Sequence, residues 1–207
     1  DDPRWSVEPS GGTIAETIGR ICAEEHVRWP LLVTTADHAL LDAATIDQFC
    51  FEAEGADLAI GVVSKSALEK RVPQSRRTWI AFQRGKYTGA NLFAFGGPRA
   101  MRAVELWREV EQDRKKGWRL LLALGWPGLL GLLRLRTLDQ TLAAMGRRLG
   151  LSLRAVRLDD PLAAVDVDKP QDYELVESIL SARSSRAKSR GARTERVSTS
   201  LDTKGEG

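Results

Sequence analysis

The sequence predicts an α/β domain built on a mixed sheet. Three observations carry the prediction: apolar runs of strand length alternate with amphipathic helical patterns, an acid directly follows the first of those runs, and a hairpin pattern interrupts the alternation. Of 207 residues, 43% are hydrophobic, enough to fill the core of one domain, placed at residues 1–182. Residues 183–207 hold seven Lys or Arg against three acids, which leaves the rest of the chain one charge negative. With few apolar residues and no periodicity, that basic tail is read as disordered and solubilising. It lacks interleaved aromatics for base stacking, so nucleic acid is not the expected partner.

In chain order, Thr13 to Ala23 reads as a helix. Leu31 to Thr35 reads as a strand, because Val33, Thr34 and Thr35 are β-branched and Pro30 marks its start. Asp42 to Phe49 follows as a helix with Ile46 and Phe49 inward. Asp57 to Val63 is a short apolar run of the kind that forms a buried strand, and Ser64 to Lys70 a short capped helix. Thr78 to Phe82 and Asn91 to Phe95 flank Arg84-Gly85-Lys86, whose glycine suits a turn between antiparallel strands. Helices and a final strand and helix complete the order. Leu120 to Leu133 is apolar, but at about 14 residues it is too short, and with Pro127 and its glycines too broken, to span a bilayer. A core helix pair is the first expectation for it. The alternative is an interfacial patch or apolar acceptor pocket, with Trp118, Trp126, Arg119, Arg134 and Arg136 at a headgroup region in peripheral membrane contact. Cys22 and Cys50 lie on apolar helical faces without metal-ligand spacing, and read as buried thiols of a reducing, cytoplasmic compartment.

The chemistry centres on Asp37. It ends an apolar strand at the carboxyl edge of the sheet, where α/β folds place their ligands, and a hard oxygen ligand there suits Mg²⁺ held against phosphates. A helix N-cap or a turn aspartate explains the same position as well. The Asn91 amide can bond a sugar or base edge, and Gly89 permits close backbone approach, although an ordinary turn uses both residues too. Arg76-Arg77 offers a fork for an acceptor's phosphate, with plain exposure as the alternative. His38 is expected at the surface or behind the Asp37 carboxylate.

Thr35-Ala36-Asp37-His38-Ala39-Leu40-Leu41 resembles the G-D-x-P-L-L motif of the MobA-like NTP transferases. Val165-Asp166-Val167-Asp168-Lys169-Pro170-Gln171-Asp172-Tyr173 resembles that family's later D-[IV]-D-T-P-x-D-L signature, with Lys169 where Thr is common. Tyr87 to Phe95 is similar to the segment that meets the acceptor, and the matches together span roughly Gly11 to Leu180. The resemblance implies a three-layer α/β/α Rossmann-like fold of GT-A type with a mixed, mainly parallel sheet. It implies Mg²⁺ or Mn²⁺ held by Asp37 and Asp168, with Asp166 the weaker candidate; Gly11, Gly12 and Thr13 at the nucleotide base; and Gly89, Asn91 and Arg77 at the acceptor. The family's glycine-rich loop, L-A-G-G-x-x-x-R-M-G-x-x-K, has no counterpart here, so the chain is expected to lack the first βα unit. The implied activity is transfer of an NMP group from an NTP to a small phosphorylated acceptor with release of pyrophosphate. Glycosyl transfer from a nucleotide sugar and a truncated, non-catalytic nucleotide-binding or docking module are the alternatives.

Overall fold

The computed structural model describes residues 7, 9–10, 12–73, 77–112 and 134–185. Gly11, Arg76, Trp118, Arg119, the Leu120 to Leu133 segment and the tail from residue 186 lie outside the described residues. The chain divides into two compact units, Asp1–Thr35 with Leu41–Ala164, and Ala36–Leu40 with Val165–Gly207.

The first unit contains a five-stranded sheet: β1 (Leu31–Thr34), β2 (Leu58–Ser64), β3 (Ile80–Phe82), β4 (Gly85–Phe95) and β5 (Leu153–Arg157). Four of the strands stand in the order β1-β4-β2-β5, and β3 also pairs with β4. β2 and β5 are parallel, while β4 runs antiparallel to β1, β2 and β3. β1, β2 and β5 therefore share one direction and end at one carboxyl edge, at Thr34, Ser64 and Arg157. Tyr87 pairs with both Ser64 and Ile80, so β3 flanks β4 on the side away from β2. The mixed α/β class expected from the alternation is the one observed. The hairpin differs in detail: Gly85 to Ala90, read in part as a turn, belong to β4 because Tyr87, Thr88 and Gly89 pair along β2.

Among the described residues, five α-helices belong to this unit: α1 (Ile14–Cys22), α2 (Ala43–Ala53), α3 (Lys65–Arg71), α4 (Met101–Gln112) and α5 (Leu138–Leu149). Their starts are fixed by side chains that accept otherwise unpaired N–H groups. Thr13 and Glu16 close a capping box on α1, Asp42 accepts from the Thr45 N–H at 3.0 Å, and Ser64 accepts from the Ala67 N–H at 3.2 Å. Thr137 and Gln140 form a second capping box on α5, which ends on Gly150 in the left-handed conformation.

Strand alternation sorts the packing. Leu31, Val33, Phe93, Phe95 and Leu58 face α1 and α4 through Ile18, Cys22, Ala100 and Val104. Ile60, Val62 and Ala155 face Leu138 and Leu142 of α5. Leu58 and Ile60 share a face, so these three helices cover one side of the sheet. On the other side, Leu32 and Ala94 line a cavity of about 680 Å³ with Cys50 and Ala53 of α2. Two layers of helix thus sandwich the sheet, the arrangement of a Rossmann-like α/β/α fold. Phe49, fully buried, anchors α2, and Ile46 is half-buried beside it. Cys22 is buried as expected, but Cys50 is exposed, because α2 turns that position outward next to the exposed Phe51.

The second unit joins Ala36–Leu40 to the segment from Val165, which continues into a helix over residues 170–185 and so passes residue 182 without a break. Among the described residues, Leu40, Val165 and Val176 are its buried apolar side chains. Among the described residues no helix is long and apolar enough to cross a membrane.

Two outcomes follow. A Cβ on Gly96 would collide with the Ala56 backbone carbonyl, which cannot swing aside, so Gly96→Ala should lower the urea-unfolding free energy by about 1–3 kcal/mol. Burial pushes the Cys22 thiol pKa up, keeping it protonated at neutral pH, so a thiol reagent should label Cys50 in the folded protein and Cys22 only on unfolding.

Candidate active site

In the second unit the two sequence motifs meet. The Val167 N–H donates to the Asp37 backbone carbonyl at 3.1 Å, bringing the residue between Asp166 and Asp168 against Asp37 itself. Both carboxylates belong to this unit; the Asp37 side chain is 37% exposed and Asp168 is exposed. The helix that follows each motif is capped by a different acid. Asp42 caps α2, which removes the N-cap explanation for Asp37. Asp172 accepts from the Lys169 N–H at 2.9 Å and the Asp168 N–H at 3.3 Å, at the start of the helix over 170–185. Pro170 takes the first helical position, where its missing N–H costs nothing. Asp172 therefore does the capping at the start of that helix.

His38 is buried, not at the surface. Its Nε2 lies 3.8 Å from Asp37 Oδ1, beyond hydrogen-bond length but within ion-pair range when the ring is protonated. Among the described residues no cluster of three or more His, Cys, Asp or Glu side chains is assembled to hold a metal. Mg²⁺ accepts one or two carboxylates together with water and substrate phosphates, a smaller protein donor set than such a cluster.

The other predicted residues belong to the first unit. Thr13 is committed to its helix: its hydroxyl accepts from the Glu16 N–H at 3.2 Å, and its N–H donates to Glu16 Oε2 at 3.2 Å. With Gly12, Thr17 and β1 up to Thr35, it lines a cleft of about 870 Å³. Gly89 is exposed and open above its Cα. Arg77 is half-buried ahead of β3.

Asn91 occupies a special backbone position. Between Ile60 and Val62 of β2 the partner residue on β4 jumps from Phe93 to Gly89, so β4 carries a bulge around Asn91. Asn91 adopts φ +46, a left-handed conformation that asparagine tolerates better than most residues. Its amide donates to Thr35 Oγ1 at 3.3 Å, at the carboxyl end of β1. Bulges commonly re-aim a side chain in this way next to functional sites.

Sequence reasoning missed a polar pocket of about 380 Å³ at the carboxyl end of β5. Arg157, the last residue of β5, binds Asp139 at 2.7 Å, and its guanidinium lies 5.5 Å from the centre of the Tyr87 ring. The hydrogen bond that Arg157 donates to Asp139 raises the Arg157 pKa above its ordinary value, against the opposing effect of burial and with help from Tyr87. Arg84 and Gln83 of the hairpin complete the lining. Its parts come from three distant segments, so no local motif announces it.

No family model matches the chain, and no curated protein matches it. A solved structure does: a hypothetical transferase from Thermus thermophilus, superposing with a TM-score of 0.70 at 32% identity over 79% of this chain and 71% of that one. The fold and the likeness together define a transferase-like α/β protein. The chain belongs to the same family as that hypothetical transferase.

The Asn91 geometry is testable. Asn91→Ala forfeits the Thr35 hydrogen bond and forces a Cβ-bearing residue without a polar side chain into φ +46, whereas Asn91→Gly forfeits only the bond. Asn91→Ala should be the less stable of the two by about 1 kcal/mol in chemical denaturation.

Proposed function

We propose that the chain is a Mg²⁺-dependent nucleotidyltransferase that moves an NMP group from an NTP to a phosphorylated acceptor. The reading is carried by the pairing of the two aspartate motifs, 130 residues apart, through the Val167 to Asp37 hydrogen bond, with both helix caps assigned to other acids. Phosphoryl-type transfer asks the protein for positioning and charge neutralisation more than for an acid and base pair. Asp37 and Asp168 suit the holding of Mg²⁺, which when bound supplies charge neutralisation to the phosphates. His38 would orient the Asp37 carboxylate from behind.

In the reaction, an oxygen of the acceptor's phosphate forms a bond to the α-phosphorus of the NTP. The bond from that phosphorus to the bridging oxygen breaks, and pyrophosphate leaves with the electron pair. The cleft along β1, with aliphatic walls and the hydroxyls of Thr13 and Thr17, is of a size and character to take a nucleoside. Thr13 lines it while its own hydroxyl serves the α1 cap, so backbone at Gly12 and Thr13, not that hydroxyl, is the expected base contact. Gly89, Asn91 and Arg77 are proposed for the acceptor side. The transferase family is the same class of chemistry at coarser grain.

Titration of NTPs into the protein with and without Mg²⁺, followed calorimetrically, tests the proposal. Binding should require Mg²⁺ and weaken at least about tenfold, some 1.4 kcal/mol, in Asp37→Ala and in Asp168→Ala. Asp172→Ala should instead leave binding intact while costing about 1 kcal/mol of stability through the lost helix cap. Mg²⁺-independent binding, or equal effects of all three variants, would remove Asp37 and Asp168 from the site. Release of a nucleoside diphosphate in place of pyrophosphate during turnover would assign glycosyl transfer.

A further inference from the structure

We infer that the polar pocket at the carboxyl end of β5 is the subsite for the phosphate group of the acceptor, with Arg84 and Arg157 as its two cationic ligands. The inference deepens the nucleotidyltransferase reading and rests on it for the word acceptor; the binding of a phosphate monoester there stands on the pocket alone.

Place comes first. Arg157 closes β5, and Arg84 and Tyr87 come from the β3–β4 hairpin beside the end of β2, so the pocket lies at the carboxyl edge of three strands that run the same way. Ligands of open α/β sheets bind along that edge. Charge comes second. Arg157 is neutralised by Asp139 and held against the Tyr87 ring, which fixes its fork in one orientation. Arg84 is exposed and makes no ion pair among the described residues, so the pair of arginines leaves one positive charge uncompensated. An immobilised guanidinium next to an uncompensated one matches a tetrahedral oxyanion, which accepts from two forks at once. The α5 helix end contributes little, because Thr137 and Gln140 occupy each other in the capping box.

Size comes third. At about 380 Å³ the pocket is less than half the cleft along β1, at about 870 Å³. The smaller, mostly polar space fits a phosphate and its immediate substituent, and the larger, partly aliphatic one fits a nucleoside.

The experiment is a titration of the full chain with inorganic phosphate, then with methyl phosphate, then with ATP in the absence of Mg²⁺, each followed by amide ¹H–¹⁵N shifts. The expected result is saturable shifts at residues 82–87, 137–140 and 157 with both small phosphates, and a weakening of at least about fivefold in Arg84→Gln. That side chain is exposed, so the variant should keep the wild-type spectrum elsewhere. Asp37→Asn should leave phosphate affinity unchanged, which separates failure here from failure of the metal-site reading. Absence of saturable shifts at those residues, or an Arg84→Gln variant that binds phosphate as the wild type does, would overturn the subsite. Tighter occupation of the same residues by ATP than by methyl phosphate would overturn its assignment to the acceptor.

Discussion

The strand that constrains the first unit most is β4. Its eleven residues bond to β1, β2 and β3, so every strand except β5 is placed by it, and β5 is placed through β2. Being antiparallel to its neighbours, β4 returns the chain across the sheet without a crossover helix and separates β1 from β2. The bulge around Asn91 is the price of that central place. Two residues of β2 span four of β4 there, and because the surplus is even, the inward phase is kept: Tyr87 and Phe93 still face the same side, one toward α5 and the other toward α4.

Much of this was legible from local chemistry. Thr13, Asp42 and Ser64 begin their helices because short oxygen-bearing side chains capture orphan N–H groups, and β-branched runs located β1 and β2. The failures share one physical cause, dependence on partners remote in sequence. Gly85 and Lys86 look like a turn until β3 is seen to pair with them and β2 with Tyr87, Thr88 and Gly89 that follow. Cys50 and Phe51 sit in an apolar stretch of α2, yet both are exposed, and only the position of the sheet decides which turn of that stretch faces inward. The pocket around Arg157 is assembled from the β3–β4 hairpin, the start of α5 and the end of β5, and only the register of the sheet brings these together.

The aspartates show how a structure divides labour that a sequence leaves ambiguous. Val165 to Tyr173 contains three acids, any of which has the chemistry to cap a helix or to meet a cation. Pro170 resolves the matter. Its fixed φ and absent N–H set it as the first residue of the helix, so Lys169 becomes the cap position and Asp172, three residues on, the side chain that reaches back. Asp168 then lies outside the helix, next to Val167, whose N–H bonds the Asp37 carbonyl. The same division holds at the first motif, where Asp42 serves α2 and Asp37 stays in the turn before it.

On the proposed reading, the cleft along β1 and the pocket at the end of β5 solve different recognition problems. A nucleoside presents flat apolar surface with a few polar edges, and the cleft between α1 and β1 answers with Ile14, Ile18 and Leu31 relieved by threonine hydroxyls. A phosphate monoester presents compact charge, and burying it is favourable only where fixed donors replace its water. Arg157 meets that condition because Asp139 and Tyr87 have already restricted it, so little conformational freedom remains to be lost when an oxyanion arrives. The ion pair with Asp139 is exposed enough to add little to stability. Its consequence lies in the orientation of the guanidinium, and that is a reason for an arginine at the end of a sheet strand to carry an acid beside it.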